Sequence, residues 1–135
     1  MKVKEWIEKN NRKEFETNDF DTMCSAGWYD WFCDETELLS RLQKMSEIIR
    51  ELTNQNILEN YDLRLYNRCP IDYPLYDEIS FIPDDQMGRV ISIKIDCPYS
   101  DKKYLFETWS ISEGIKQKYK TDTKEKMITY INNFK

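Results

Sequence analysis

Carboxylates are the one chemistry-bearing residue type that this sequence groups closely. Asp19 and Asp21 stand two apart, Asp30, Asp34 and Glu35 follow, and Asp84–Asp85 are adjacent. Carboxylates so placed can hold Mg²⁺ or share the work of a general acid and a general base. Neither region has the Asp/Asn ladder and closing Glu of an EF-hand loop. Asp34, with Glu37 three residues on, heads an apolar-periodic run and reads as a helix cap. Asp84 and Asp85 fall where a hairpin turn favours Asp. Solvated or capping carboxylates are therefore the expectation, with no catalytic residue, no metal ligands and no cofactor assigned.

The 135 residues contain no His. That removes the commonest general base and the commonest transition-metal ligand, and with them Ser–His–Asp and Cys–His catalysis. No glycine-rich phosphate-cradling loop occurs. Cys24, Cys33, Cys69 and Cys97 are spaced too irregularly for a zinc ribbon or a redox pair. Reduced thiols are expected, with Cys24 and Cys33 as small apolar residues of a core.

Rings and acids mix in two places. "GWYDWFC" puts Trp28, Tyr29, Trp31 and Phe32 around Asp30, directly before Asp34 and Glu35. Consecutive aromatics cannot all face one way. Trp28 and Phe32 are read as core, while Tyr29 and Trp31 suit either a core edge or a protein-binding contact, for which Trp and Tyr are favoured. "CPIDYPLYDE" sets Tyr73 and Tyr76 among Asp72, Asp77 and Glu78, between strand-like segments. It reads either as a plain connection or as a rigid, acidic-aromatic functional loop. The candidate contact set is thus Tyr29, Asp30, Trp31, Asp34, Glu35, Asp72, Tyr73, Tyr76, Asp77 and Glu78.

The elements that must carry these residues follow from periodicity. Val3, Trp6 and Ile7 make a short helical stripe ending near Asn10–Asn11. Leu38, Leu42, Met45, Ile49 and Leu52, widened by Leu39 and Ile48, predict a helix over 35–54. "YDLRLYN" alternates, with Leu63 and Leu65 on one face. Ile79 and Phe81, a turn with Pro83 and Gly88, then Ile91, Ile93 and Ile95 predict a hairpin. "KYLFETWSI" supplies a fourth strand, with Leu105, Trp109 and Ile111 set against Tyr104 and Phe106. Asp122 and Glu125 cap a last helix lined by Met127, Ile131 and Phe134. The expected fold is a single α+β domain: a helical half over 1–58, a four-stranded, mainly antiparallel sheet over 60–112, and a C-terminal helix over 121–134.

Net charge is −5. Residues 12–37 hold 8 acidic and 2 basic side chains, a local −6 that disfavours phosphate contact there. Residues 113–135 hold 6 lysines against 3 acids, read as the solvated face of the terminal helix. No run approaches the roughly 20 apolar residues that cross a bilayer, and the N-terminal stretch lacks a signal-peptide core. An intracellular protein without a membrane role is expected.

"AGWYDWFCDETELLSRLQKM", followed by "NRCPIDYPLYDEISF", is similar to small uncharacterised proteins from phages, plasmids and other mobile elements of Gram-positive bacteria, across roughly residues 20–95. The resemblance transfers no catalytic residue. It implies the cytoplasm of a bacterial host and a role among small proteins that disable host defence, of which anti-CRISPR proteins acting on Cas9-type nucleases are one kind. Occlusion of a Cas nuclease–guide RNA complex by acids and rings, without turnover or a small-molecule substrate, is the expected function. The alternatives are a carboxylate- and metal-dependent hydrolase or nuclease, and a nucleic-acid-associated accessory protein of a mobile element using the lysine-rich tail.

Overall fold

The computed structural model describes residues 2–11, 35–51, 58, 61–68, 76–84, 88–110 and 112–133. Five strands form one antiparallel meander in the order β1-β2-β3-β4-β5: β1 (Asp62–Arg68), β2 (Tyr76–Ile82), β3 (Val90–Ile95), β4 (Tyr104–Ser110) and β5 (Gly114–Thr121). The helices are α1 (Val3–Asn11), α2 (Glu35–Glu51) and α3 (Lys124–Asn132). The α+β class is as the sequence implies, but the sheet has five strands among the described residues, more than the four expected. The added strand is the segment read as a solvated basic tail.

Alternation decides which residues meet. Leu65 pairs with Ile79, Ile79 with Ile93, Ile93 with Phe106, and Phe106 with Tyr119, one row across all five strands. Its first four members are essentially without solvent exposure. Neighbouring pairs Leu63–Phe81 and Phe81–Ile91 extend this inner face. Burying a side chain of this size contributes about 1.5–3 kcal/mol.

The helices cover the inner face. α2 packs on β1 and β2 and touches α3, while α3 packs on β4 and β5. Met45, Ile48 and Ile49 of α2 and Met127, Ile128 and Ile131 of α3 are the buried helical members of the core. They recur at steps of three and four, as a stripe facing a sheet requires. Tyr130 of α3 stacks on Tyr119 at 4.3 Å and meets Phe106 edge-on at 5.1 Å. At the far edge, Lys2 forms a bridge with Asp62, the Val3 amide donates to the Tyr61 carbonyl at 3.0 Å, and α1 buries Val3 and Trp6.

Several terminal details differ from expectation. The Asp122 carboxylate does not cap α3, whose N-cap is Thr123 without a side-chain cap bond. Asp122 instead accepts from the Lys103 amide at 2.9 Å, a bond that ties the β3–β4 turn to the start of α3 and holds its carboxyl below the usual range. Trp109, on the face of β4 opposite Tyr104 and Phe106, is 40% exposed. The β4–β5 turn closes on Gly114, whose φ of +70° suits a residue without a Cβ. Cys97 is a buried free thiol, while Cys24, Cys33 and Cys69 lie outside the described residues. So do Leu52 and Phe134 and the side chains of Ile7, Leu38, Leu39 and Leu42.

The packing predicts a sharp contrast along β4. Phe106→Ala removes a ring from the middle of the inner row and should lower unfolding free energy by about 3–5 kcal/mol. Trp109→Ala, three residues along on the other face, should change it by less than about 1 kcal/mol. Urea unfolding of the two variants checks both.

Candidate interaction surface

The face of the sheet opposite the helices carries a ladder of charge. Arg64 on β1, Glu78 on β2, Lys94 on β3, Glu107 on β4 and Lys118 on β5 share it, so the sign changes at every strand. Lys94 Nζ donates to Glu107 at 3.0 Å, and Ser80 Oγ donates to Glu78 Oε2 at 3.1 Å. Glu78 and Glu107 are only 6% and 5% exposed. Carboxylates so shielded need partners, because an unpaired buried charge is costly. Partial burial works to lower the Lys94 pKa, but the hydrogen bond and charge of Glu107, with Glu78 beyond, outweigh it and hold the lysine above its ordinary 10.5.

On the helix side, Asp77 is 5% exposed and accepts from Arg41 of α2 at 3.2 Å. The pair stands at a cavity of about 370 Å³ bounded by Lys44, Asp96, Lys103 and Tyr104. The Arg41–Asp77 pair ties α2 to the start of β2.

These placements revise the contact set expected from sequence. Tyr76, Asp77 and Glu78 are not on an acidic loop. β2 already begins at Tyr76, opposite Arg68, and Asp77 pairs with Ile95. Tyr76 is 9% exposed, so all three are buried in the sheet. Pairing on both sides of β2 draws them in, and Arg41, Ser80 and Lys94 make burial of the acids tolerable. Glu35 opens α2, with its side chain outside the described residues. Tyr29, Asp30, Trp31, Asp34, Asp72 and Tyr73 also lie outside them, as do Asp19, Asp21, Trp28, Phe32 and Asp85. Asp84 is an exposed turn residue whose carboxylate bonds the Lys2 ammonium.

Exposed apolar area gathers instead at the β4–β5 end of the outer face. Trp109 and Ile115 are direct cross-strand partners, 40% and 56% exposed, with half-buried Val90 beside Trp109 on β3. A register shift between Thr108 and Trp109 sets this step. Bulges of this kind commonly re-aim a side chain at a sheet rim. Arg89 bridges from the start of β3 to Glu113 in the β4–β5 turn at 2.9 Å. An exposed Trp on a rigid strand with a charged pair at its margin has the make-up of a contact anchor. The sequence signal was available: "SEG" is a turn, and Gln117, Tyr119 and Thr121 alternate with Lys118 and Lys120.

In class, then, the chain is an α+β protein with helices on one face of an antiparallel meander. It matches no protein-family model, no curated protein and no solved structure. Among the described residues, no helix is long and apolar enough to cross a membrane, and no group of three or more Cys, Asp or Glu side chains is gathered to hold a metal ion.

Two charge pairs yield predictions. Arg41→Ala removes the guanidinium from the buried Asp77 carboxylate and should cost about 1–3 kcal/mol in chemical denaturation. For Lys94, a folded pKa above the unfolded one adds stability that is complete below the unfolded value and lost as pH rises through the folded value. The stability advantage of wild type over Lys94→Met should therefore be level from neutral to about pH 9.5 and shrink above 10.5. Urea midpoints measured across that range check the sign.

Proposed function

We propose that this chain is a non-catalytic binding protein that acts by holding a protein partner. The partner in this reading is a phage-defence nuclease, most specifically a Cas9-type effector with its guide RNA, met in the cytoplasm of a bacterial host. The observation that carries the binding reading is the exposed Trp109–Ile115 step on a rigid sheet. The indole and the isoleucine beside it leave contiguous apolar area that the fold itself does not bury. Set against a partner, the two form an apolar centre that the Arg89–Glu113 pair can border.

The nuclease reading draws on the sequence. The mobile-element resemblance supplies the context, and the local −6 over residues 12–37 supplies complementarity to a basic nucleic-acid groove. Tyr29, Asp30, Trp31, Asp34, Glu35, Asp72 and Tyr73 remain its proposed acidic-aromatic contacts. Tyr76, Asp77 and Glu78, buried in the sheet, drop out of that contact set. Acids would steer approach, and the rings would lengthen residence.

Titration into a DNA-cleavage assay of a guide-loaded Cas9-type nuclease tests both layers. Inhibition should be complete near one equivalent. Trp109→Ala should raise the half-inhibitory concentration by about 10–100-fold, as loss of an interface Trp anchor does. Undiminished cleavage at large excess retires the nuclease target, and inhibition far below one equivalent retires the non-catalytic reading.

A further inference from the structure

β5 closes the sheet on the side away from α1, and among the described residues no strand pairs with its outer edge. Gln117, Lys118 and Lys120 are exposed along it. Between this edge and α3 lies an open groove of about 700 Å³, lined by Gln117, Tyr119, Glu125, Lys126, Thr129 and Tyr130. The stacked Tyr119–Tyr130 pair supplies its aromatic wall. A free strand edge beside a helix-walled groove is the geometry by which proteins capture extended segments. The backbone edge gives affinity and the groove receives alternate side chains.

Charge defines the occupant. The outer-face ladder runs Arg64, Glu78, Lys94, Glu107, Lys118, positive and negative by turns. The next strand in that series would be acidic, set opposite Lys118 and Lys120, the latter in an exposed pair with Asp101 at 3.4 Å that an incoming acid can exchange for. β5 itself carries three lysines and no acid. A second copy of β5 laid against the first would oppose lysine to lysine, a device that keeps edges from self-pairing. On the groove face the same incoming strand would present apolar or aromatic residues to the two tyrosines.

We infer that the β5 edge and the β5–α3 groove form a docking site for an extended segment of a partner protein in which acidic residues alternate with apolar or aromatic ones. The segment adds as a sixth strand. Its acids stand against Lys118 and Lys120, and its apolar side chains enter the groove beside Tyr119 and Tyr130. The segment follows the Gln117–Thr121 stretch of the edge, with its apolar side in the groove and its acids on the outer face, and it does not use the Trp109–Ile115 step, so the inference stands whether or not a nuclease is the partner.

The probe is a fluorescent peptide of about eight residues alternating Glu with Tyr and Leu, read by anisotropy and by hydrogen exchange on the full chain. The acidic peptide should bind and slow exchange of β5 amides, while the same peptide with Lys for Glu should not. Lys118→Ala with Lys120→Ala should weaken binding by about three- to tenfold. Thr129→Trp, an exposed helix position that fills the groove, should abolish it without altering circular dichroism. Equal binding of the lysine peptide overturns the inference. So does unchanged β5 exchange at saturating acidic peptide, binding that survives Thr129→Trp, or dimerisation of the free chain through β5.

Discussion

Strand register is the constraint on which the rest of this molecule depends. The inner row Leu65, Ile79, Ile93, Phe106 and Tyr119 places one ring or branched side chain per strand at the same level under the helices. A slip of one residue on any strand exchanges its faces. For β2, β3 and β4 that exchange would turn Glu78, Lys94 and Glu107 towards Met45, Ile49 and Met127. No arrangement of charges repays that, so the hydrophobic row and the charge ladder specify the same register from opposite faces.

The outer face is more than the solvated back of a sheet. Ser80, Ser92, Glu78 and Glu107 are all buried there, although the described helices pack on the other side. Small hydroxyls beneath long charged chains make a low layer in which Lys94 spans from β3 to β4. Opposite charges within reach across strands add modest energy each. Their larger effect is exclusion, since a one-residue slip would carry a charge into the apolar core.

Periodicity made much of this legible. α1 ends at Asn11 as its stripe implied, and Leu63, Leu65, Ile79, Phe81, Ile91, Ile93 and Ile95 all face the helices as alternation required. What was missed has two physical sources. β5 holds Lys116, Lys118 and Lys120, and lysine at every second position of the sequence hides the alternation that Tyr119 and Thr121 complete. β2 was cut short because Tyr76, Asp77 and Glu78 look like loop residues. Their burial is decided by Arg41, 36 residues away in sequence, and by neighbours on other strands. Long-range pairing of a charge leaves no local mark, so the candidate site, unlike the fold, was mostly illegible. The Trp109–Ile115 step depends likewise on a register shift that no single segment announces.

The two edges of the sheet are managed by different means, and the difference bears on what the molecule can do. At β1, the Lys2–Asp62 bridge and the bond from the Val3 amide to the Tyr61 carbonyl bring α1 against the strand, with Trp6 buried behind it. That edge is covered by the chain itself. At β5 the protection is electrostatic: lysines repel another positive edge but leave the backbone groups accessible. Covering is indiscriminate, whereas charge excludes one class of strand and admits its opposite. An edge guarded in this way is already selective. The Trp109–Ile115 step lies at the same side of the sheet, on the other face of the same two strands. Both exposed features therefore rest on the β4–β5 pairing, anchored inside by Phe106, Tyr119 and Tyr130. A rigid aromatic support beneath an exposed edge lowers the entropy lost when a segment is held against it.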